Sequence, residues 1–132
     1  MEWRYPIKDR TDLEYKARYH SEVKQRLTQF ATALGFKDQD YDLRSIKGYD
    51  DSSGLIFLTH DELYVSVGQD AFAGWEIKIY FSERRGDRSP TPRLELPIEL
   101  LDNIPLLVLI ANDHLNHKRN LKALQASGPL PS

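Results

Sequence analysis

The sequence contains no cysteine. That absence excludes disulfide staples, thiolate zinc sites and cysteine nucleophiles together. It is the composition expected of a chain kept in a reducing compartment, so a cytoplasmic setting is the expectation. Long hydrophobic runs are missing too. The longest, Ile104 to Ala111, contains Pro105 and falls far short of the roughly 20 apolar residues of a membrane-spanning helix. Met1 to Arg10 carries Glu2, Arg4, Lys8, Asp9 and Arg10 without an apolar stretch, so no secretory signal is expected there. Nor is there an excess of charge of one sign. Eighteen basic against twenty acidic residues leave a formal charge of −2, so no global field draws the chain to nucleic acid or to an anionic membrane. Any such binding has to be local. Motifs are the last absence: no nucleophile elbow, glycine-rich phosphate loop or histidine–glutamate metalloprotease motif occurs. No cofactor is implied.

What remains is a chain of 132 residues, enough for one domain that buries roughly two-thirds of the surface its unfolded form exposes. One domain is expected over 1–132, with 1–10 as an N-terminal segment and 126–132 as a frayed tail. Thr11 and Glu14 have the spacing of a capping box, so a helix should open there. Tyr15, Tyr19, Val23, Leu27, Phe30 and Leu34 then recur at helical steps along one face, while Lys16, Arg18, Glu22, Lys24 and Arg26 fill the remainder. Gly35 ends the helix, with Phe36 placed to fold back on its last turn.

Leu43 to Lys47 reads as a short or edge strand between two polar segments. Leu55 to Thr59, a turn at His60 to Glu62, and the alternation of Leu63, Val65 and Val67 read as a hairpin. After a link at Gly68 to Gly74, Trp75, Ile77, Ile79 and Phe81 alternate with Glu76, Lys78, Tyr80 and Ser82, which predicts a strand with one core face and one wet face. Connections this short cannot carry a crossover helix, so the sheet should be antiparallel. Ser82 to Arg93 reads as an exposed loop and Leu94 to Leu96 as a brief strand. Pro97 opens a helical turn, and Asp102 or Asn103 caps a second long helix in whose first turn Pro105 is tolerated. Leu106 to Ala111 is apolar on nearly every side, which predicts burial between the sheet and a second surface. These elements make an α+β, two-layer sandwich: a small antiparallel β-meander of three to four strands, with an N-terminal and a C-terminal long helix packed on one face.

Three constellations could carry function. Asp38, Asp40, Asp42, Asp50 and Asp51, interleaved with Tyr41 and Tyr49, form an acidic, aromatic strip. Such a strip can steer a basic protein partner into contact, in the manner of an adaptor or of an inhibitor that neutralises a toxic enzyme. Its plainer reading is a solvated loop. Arg84, Arg85, Arg88 and Arg93 form a basic loop, and Lys118, Arg119 and Lys122 a basic end to the last helix. Side by side they could neutralise several phosphates of a nucleic acid; apart, they are ordinary surface charge. His114 and His117, three apart on that helix, could share a metal, but no third ligand is evident and a solvated helix face fits them as well. A turn site built from His60, Asp61, Glu62 and Tyr64 would carry no sequence signature at all. The aromatics Trp3, Tyr5, Tyr41, Tyr49, Phe72 and Trp75 either anchor an interface or cover the open face of the sheet. The apolar start of the last helix needs a second neighbour, which a further copy of the chain would supply. The leading expectation is therefore a non-enzymatic protein-binding module using Asp40, Tyr41, Asp42, Tyr49, Asp50 and Asp51. The alternative is nucleic-acid binding through Arg84, Arg85, Arg88, Lys118 and Arg119. A metal-dependent enzyme or sensor using His114 and His117 comes third.

Overall fold

A computed structural model of the chain describes residues 13–46, 54–69, 77–82 and 94–126. Its first element is helix α1, Leu13–Leu34. Tyr19, Val23, Leu27 and Phe30 are fully buried at the helical spacing the sequence shows, and Ala31 joins them. The start at Thr11 lies outside the described residues. Lys16 departs from expectation: it and His20 are buried, one turn apart on the side of the helix that carries Tyr19 and Val23. The C-terminus closes as a Schellman motif. Gly35 takes φ +89°, its N–H donates to the Thr32 carbonyl, and the Phe36 N–H donates to the Ala31 carbonyl, both at 3.0 Å. Only a residue without Cβ enters that left-handed conformation at little cost.

Among the described residues the sheet is a five-stranded antiparallel meander in chain order: β1 Tyr41–Ile46, β2 Leu55–His60, β3 Tyr64–Gln69, β4 Ile77–Ser82 and β5 Leu94–Pro97. Five strands form, where three or four were expected, because both marginal segments pair. Tyr41 and Leu43 in β1, and Leu94 and Leu96 in β5, each pack partly buried against the core. The β2–β3 connection is a two-residue loop, Asp61-Glu62, closed by reciprocal backbone bonds between His60 and Leu63. β3 runs further than the sequence suggests. Gly68 and Gln69 belong to the strand and pair with Lys78 and Ile77, whereas Trp75 and Glu76 lie outside the described residues.

The register gives the sheet two distinct faces. Leu43, Leu58, Val65, Phe81 and Leu94 form one cross-strand row, and Ser45, Ile56, Val67, Ile79 and Leu96 the next. The apolar members of these rows share one core with α1 and with the second helix, α2, Ile104–Ala126, so both helices cover the same face. The other face is less wet than simple alternation predicts: Phe57, Tyr64 and Tyr80 are all buried there, around Ser66. Phe57 and Tyr64 meet diagonally across the strands with ring centres 6.0 Å apart.

Pro97 leads into a 3₁₀ turn, Ile98–Asp102, that buries Ile98 and Leu101. Asn103 then caps α2 as the sequence indicates: its side-chain oxygen accepts the Leu106 N–H at 3.3 Å, and its carbonyl accepts the Leu107 N–H at 3.0 Å. The expected burial of the apolar start of α2 holds for one stripe only. Leu107, Ala111 and Leu115 are buried, but Leu106 is 41% and Leu109 66% exposed. Among the described residues no helix is long and apolar enough to cross a membrane.

Candidate partner-binding surface

β1 stands at one edge of the meander, and among the described residues no strand pairs with its outer side. An edge strand turns alternate N–H and C=O groups outward, where another chain can take them up. The acidic residues expected at the site cluster at its start. Lys37 and Asp40 close a tight turn: the Asp40 carboxylate accepts the Lys37 N–H at 2.9 Å, and the Asp40 N–H donates to the Lys37 carbonyl at 2.8 Å. Asp38 and Asp40 are exposed. Tyr41 faces the helices, half-buried against the core. Asp42 faces the opposite side and pairs with Arg44 on its own strand at 2.8 Å, both side chains being well exposed. Three acids, Asp38, Asp40 and Asp42, therefore share this corner with two bases, Lys37 and Arg44, and the local charge is −1. The strip is milder than its aspartates alone suggest. Tyr49, Asp50 and Asp51 lie outside the described residues.

The far end of β1 holds what the sequence reading missed. Asp42, Arg44 and Ile46 share the outward face of the strand, and Ile46 breaks its polar pattern: it is 45% exposed beside its cross-strand neighbour Leu55, at 42%. The next member of that row is Gly68. A Cβ on Gly68 would lie 2.7 Å from a methyl of Leu55 and 2.8 Å from the Gly54 carbonyl oxygen, so the glycine gives the Leu55 side chain room to lie flat. The result is an apolar corner at one end of an open strand and an acidic corner at the other. An isoleucine on the polar face of an edge strand was the available signal.

The basic end of α2 is arranged differently from a solvated helix face. Lys118 is buried, and its ammonium donates to the Glu62 carbonyl oxygen at 2.6 Å. Arg119 grips the Glu62 carboxylate through two nitrogens, at 2.7 and 3.0 Å. The hydrogen bond from Arg119 holds the Glu62 carboxyl below its ordinary value; partial burial works against this, and the positive charges of Arg119 and Lys118 add to it. The same bond pushes the Arg119 guanidinium up. His60 completes the turn: its Nδ1 accepts the Glu62 N–H at 3.1 Å, and its ring stacks on Phe36 with centres 3.7 Å apart. Phe36 follows α1, so the β2–β3 turn and the His60 beside it tie the end of α1 and the C-terminal half of α2 to the sheet. Lys118 and Arg119 are thus engaged with the β2–β3 loop, while Arg84, Arg85 and Arg88 lie outside the described residues.

This pair gives stability a pH dependence. A carboxyl held below its unfolded value of 4.5 stabilises the fold above that pH, and the contribution disappears as pH falls through the folded value. The wild type should therefore lose stability below pH 4.5 more steeply than Glu62→Gln. Urea midpoints measured from pH 7 downward would show the two curves converging in acid, whereas parallel curves would mean that the pair contributes nothing.

His114 and His117 do not converge. The His114 ring leans on Phe81 at 5.8 Å, on the sheet side of α2, while His117 is exposed. Among the described residues no three His, Cys, Asp or Glu side chains gather as a metal-binding group. Neither a family model, nor a curated protein, nor a solved structure matches the chain.

Proposed function

We propose that the chain works by binding another protein at the β1 edge, as an adaptor or inhibitor, with catalysis playing no part. The observation that carries this reading is the pairing of an open edge strand with exposed Ile46 and Leu55. The backbone edge offers hydrogen bonds, the apolar corner offers an anchor, and Asp38, Asp40 and Asp42 favour a partner with basic residues toward the other end. The cysteine-free composition fits a cytoplasmic setting for this partnership.

The test uses the wild-type chain and two variants as baits in nuclease-treated lysate of the source cell. Ile46→Asp combined with Leu55→Asp should weaken the captured complex by at least about thirtyfold, the size of a central anchor. Asp38→Lys combined with Asp42→Lys should slow association and reduce its salt dependence. A partner whose affinity ignores both variants would show that the edge is not the site. A bait that holds its companions only when nuclease is omitted would favour nucleic-acid binding through Arg84, Arg85 and Arg88.

A further inference from the structure

We infer that the β1 edge also closes on itself: two copies of the chain pair their β1 strands antiparallel, Leu43 opposite Leu43, and hold the partner site shut until a foreign strand displaces the second copy. This regulation rests on the reading of β1 as a binding edge. Hydrogen-bond parity shows which groups the edge offers. Reciprocal bonds between His60 and Leu63 turn the His60 N–H and C=O toward β3. Alternation along β2 then turns those of Thr59, Phe57 and Leu55 toward β1, where they face Asp42, Arg44 and Ile46. The N–H and C=O groups of Tyr41, Leu43 and Ser45 are left pointing outward, and among the described residues no strand takes them up.

Pairing about Leu43 is the register that charge selects. It sets Asp42 of each copy opposite Arg44 of the other, and Tyr41 opposite Ser45. The Asp42–Arg44 pairs fall between the hydrogen-bonded ones, where facing side chains come closest, about 4.5–5.5 Å between Cβ atoms. Both side chains are well exposed and pair at 2.8 Å within their own strand, so the acids and bases of the two copies close into a neutral ring at the solvent surface. Sliding one strand by two residues either way instead opposes Asp42 to Asp42 or Arg44 to Arg44, which is unfavourable. On the helix-covered face Leu43, partly buried at the rim of the core, meets its own copy. Ile46 and Leu55 lie past the paired stretch, so a foreign strand that reaches them has an anchor the second copy lacks. Self-pairing along one short strand buries less than the roughly 1,200 Å² of a stable interface, which leaves it weak enough to be displaced.

Sedimentation equilibrium of the full chain at concentrations up to about 500 μM, suited to a weak pair, tests the register by charge exchange. The wild type should rise from the 15.3 kDa chain mass toward twice that value. Asp42→Arg and Arg44→Asp, each alone, set like charges opposite one another in both pairs and should weaken self-pairing by at least about tenfold. Mixed in equal amounts, the two variants should pair again, because each then faces its opposite. Ser45→Pro removes an outward N–H and no bond to β2, and should stay monomeric with an unchanged far-ultraviolet spectrum. A wild type that is monomeric throughout, or a dimer that ignores the charge changes or is not restored by mixing, would overturn self-pairing. Neither outcome touches the foreign partner, whose affinity is read with Ile46→Asp and Leu55→Asp. A captured partner that binds without dissociating the dimer would overturn the competition, and with it the foreign site at β1.

Discussion

Phe81→Ala is expected to lower the stability of the fold by about 3–5 kcal/mol, the range for emptying a fully packed aromatic site. Phe81 has no exposed surface and sits at the crossing point of the architecture. It stacks with Phe30 of α1 at 6.0 Å, leans on His114 of α2 at 5.8 Å, and lies in the cross-strand row of Val65 and Leu94. Truncation removes apolar contact with both helices at once and leaves a hole that three rigid elements cannot jointly close. Small domains of this size have roughly 5–15 kcal/mol in total, so the loss is at least about a fifth of that stability. Urea denaturation monitored by circular dichroism measures the loss; a loss below about 1 kcal/mol would mean that this core is not packed as described.

Lys118 is the second position with a large expected effect, because its ammonium is buried yet bonded to a backbone carbonyl. Lys118→Met keeps the length and most of the volume of the stem while deleting the charged donor, and should cost about 1.5–3 kcal/mol. Lys118→Ala should cost more, since the stem is lost as well. The contrast with Glu62→Ala is the informative part. The Glu62–Arg119 pair joins side chains that are 37% and 54% exposed, and such surface pairs contribute about 0–1 kcal/mol. Lys118 bonds the Glu62 main chain, so its contribution should persist when the Glu62 side chain is removed. Equal losses for Lys118→Met and Glu62→Ala would contradict that division.

The architecture was legible wherever local chemistry and burial agree. The helical spacing of Tyr19, Val23, Leu27 and Phe30, the Gly35 stop and the Asn103 cap all describe interactions completed within a few residues, and each is found where the sequence places it. Strand number was underestimated because β1 and β5 are held by cross-strand partners, and a lone four- to six-residue segment has no signal for partners that lie elsewhere in the chain. The buried lysines were illegible for the same reason. Lys16 and Lys118 read as solvated charge on a helical wheel, and nothing near Lys118 in sequence announces a carbonyl 56 residues away. The candidate surface was half legible. Its aspartates are visible in the sequence, but Lys37 and Arg44 temper their charge, and the apolar corner of Ile46 and Leu55 exists only once β1 and β2 are in register. The apolar run in α2 pointed to a second neighbour, and the structure narrows that run to Leu106 and Leu109.

The most direct test of the proposed function is amide hydrogen exchange along β1, with the captured partner bound and without it. Docking at the sheet edge should slow exchange across 41–46, most strongly at amides that face outward from the sheet, and should leave the outer side of α2 unchanged. Unchanged exchange in β1 beside new protection elsewhere would contradict the account and move the binding site to the protected segment.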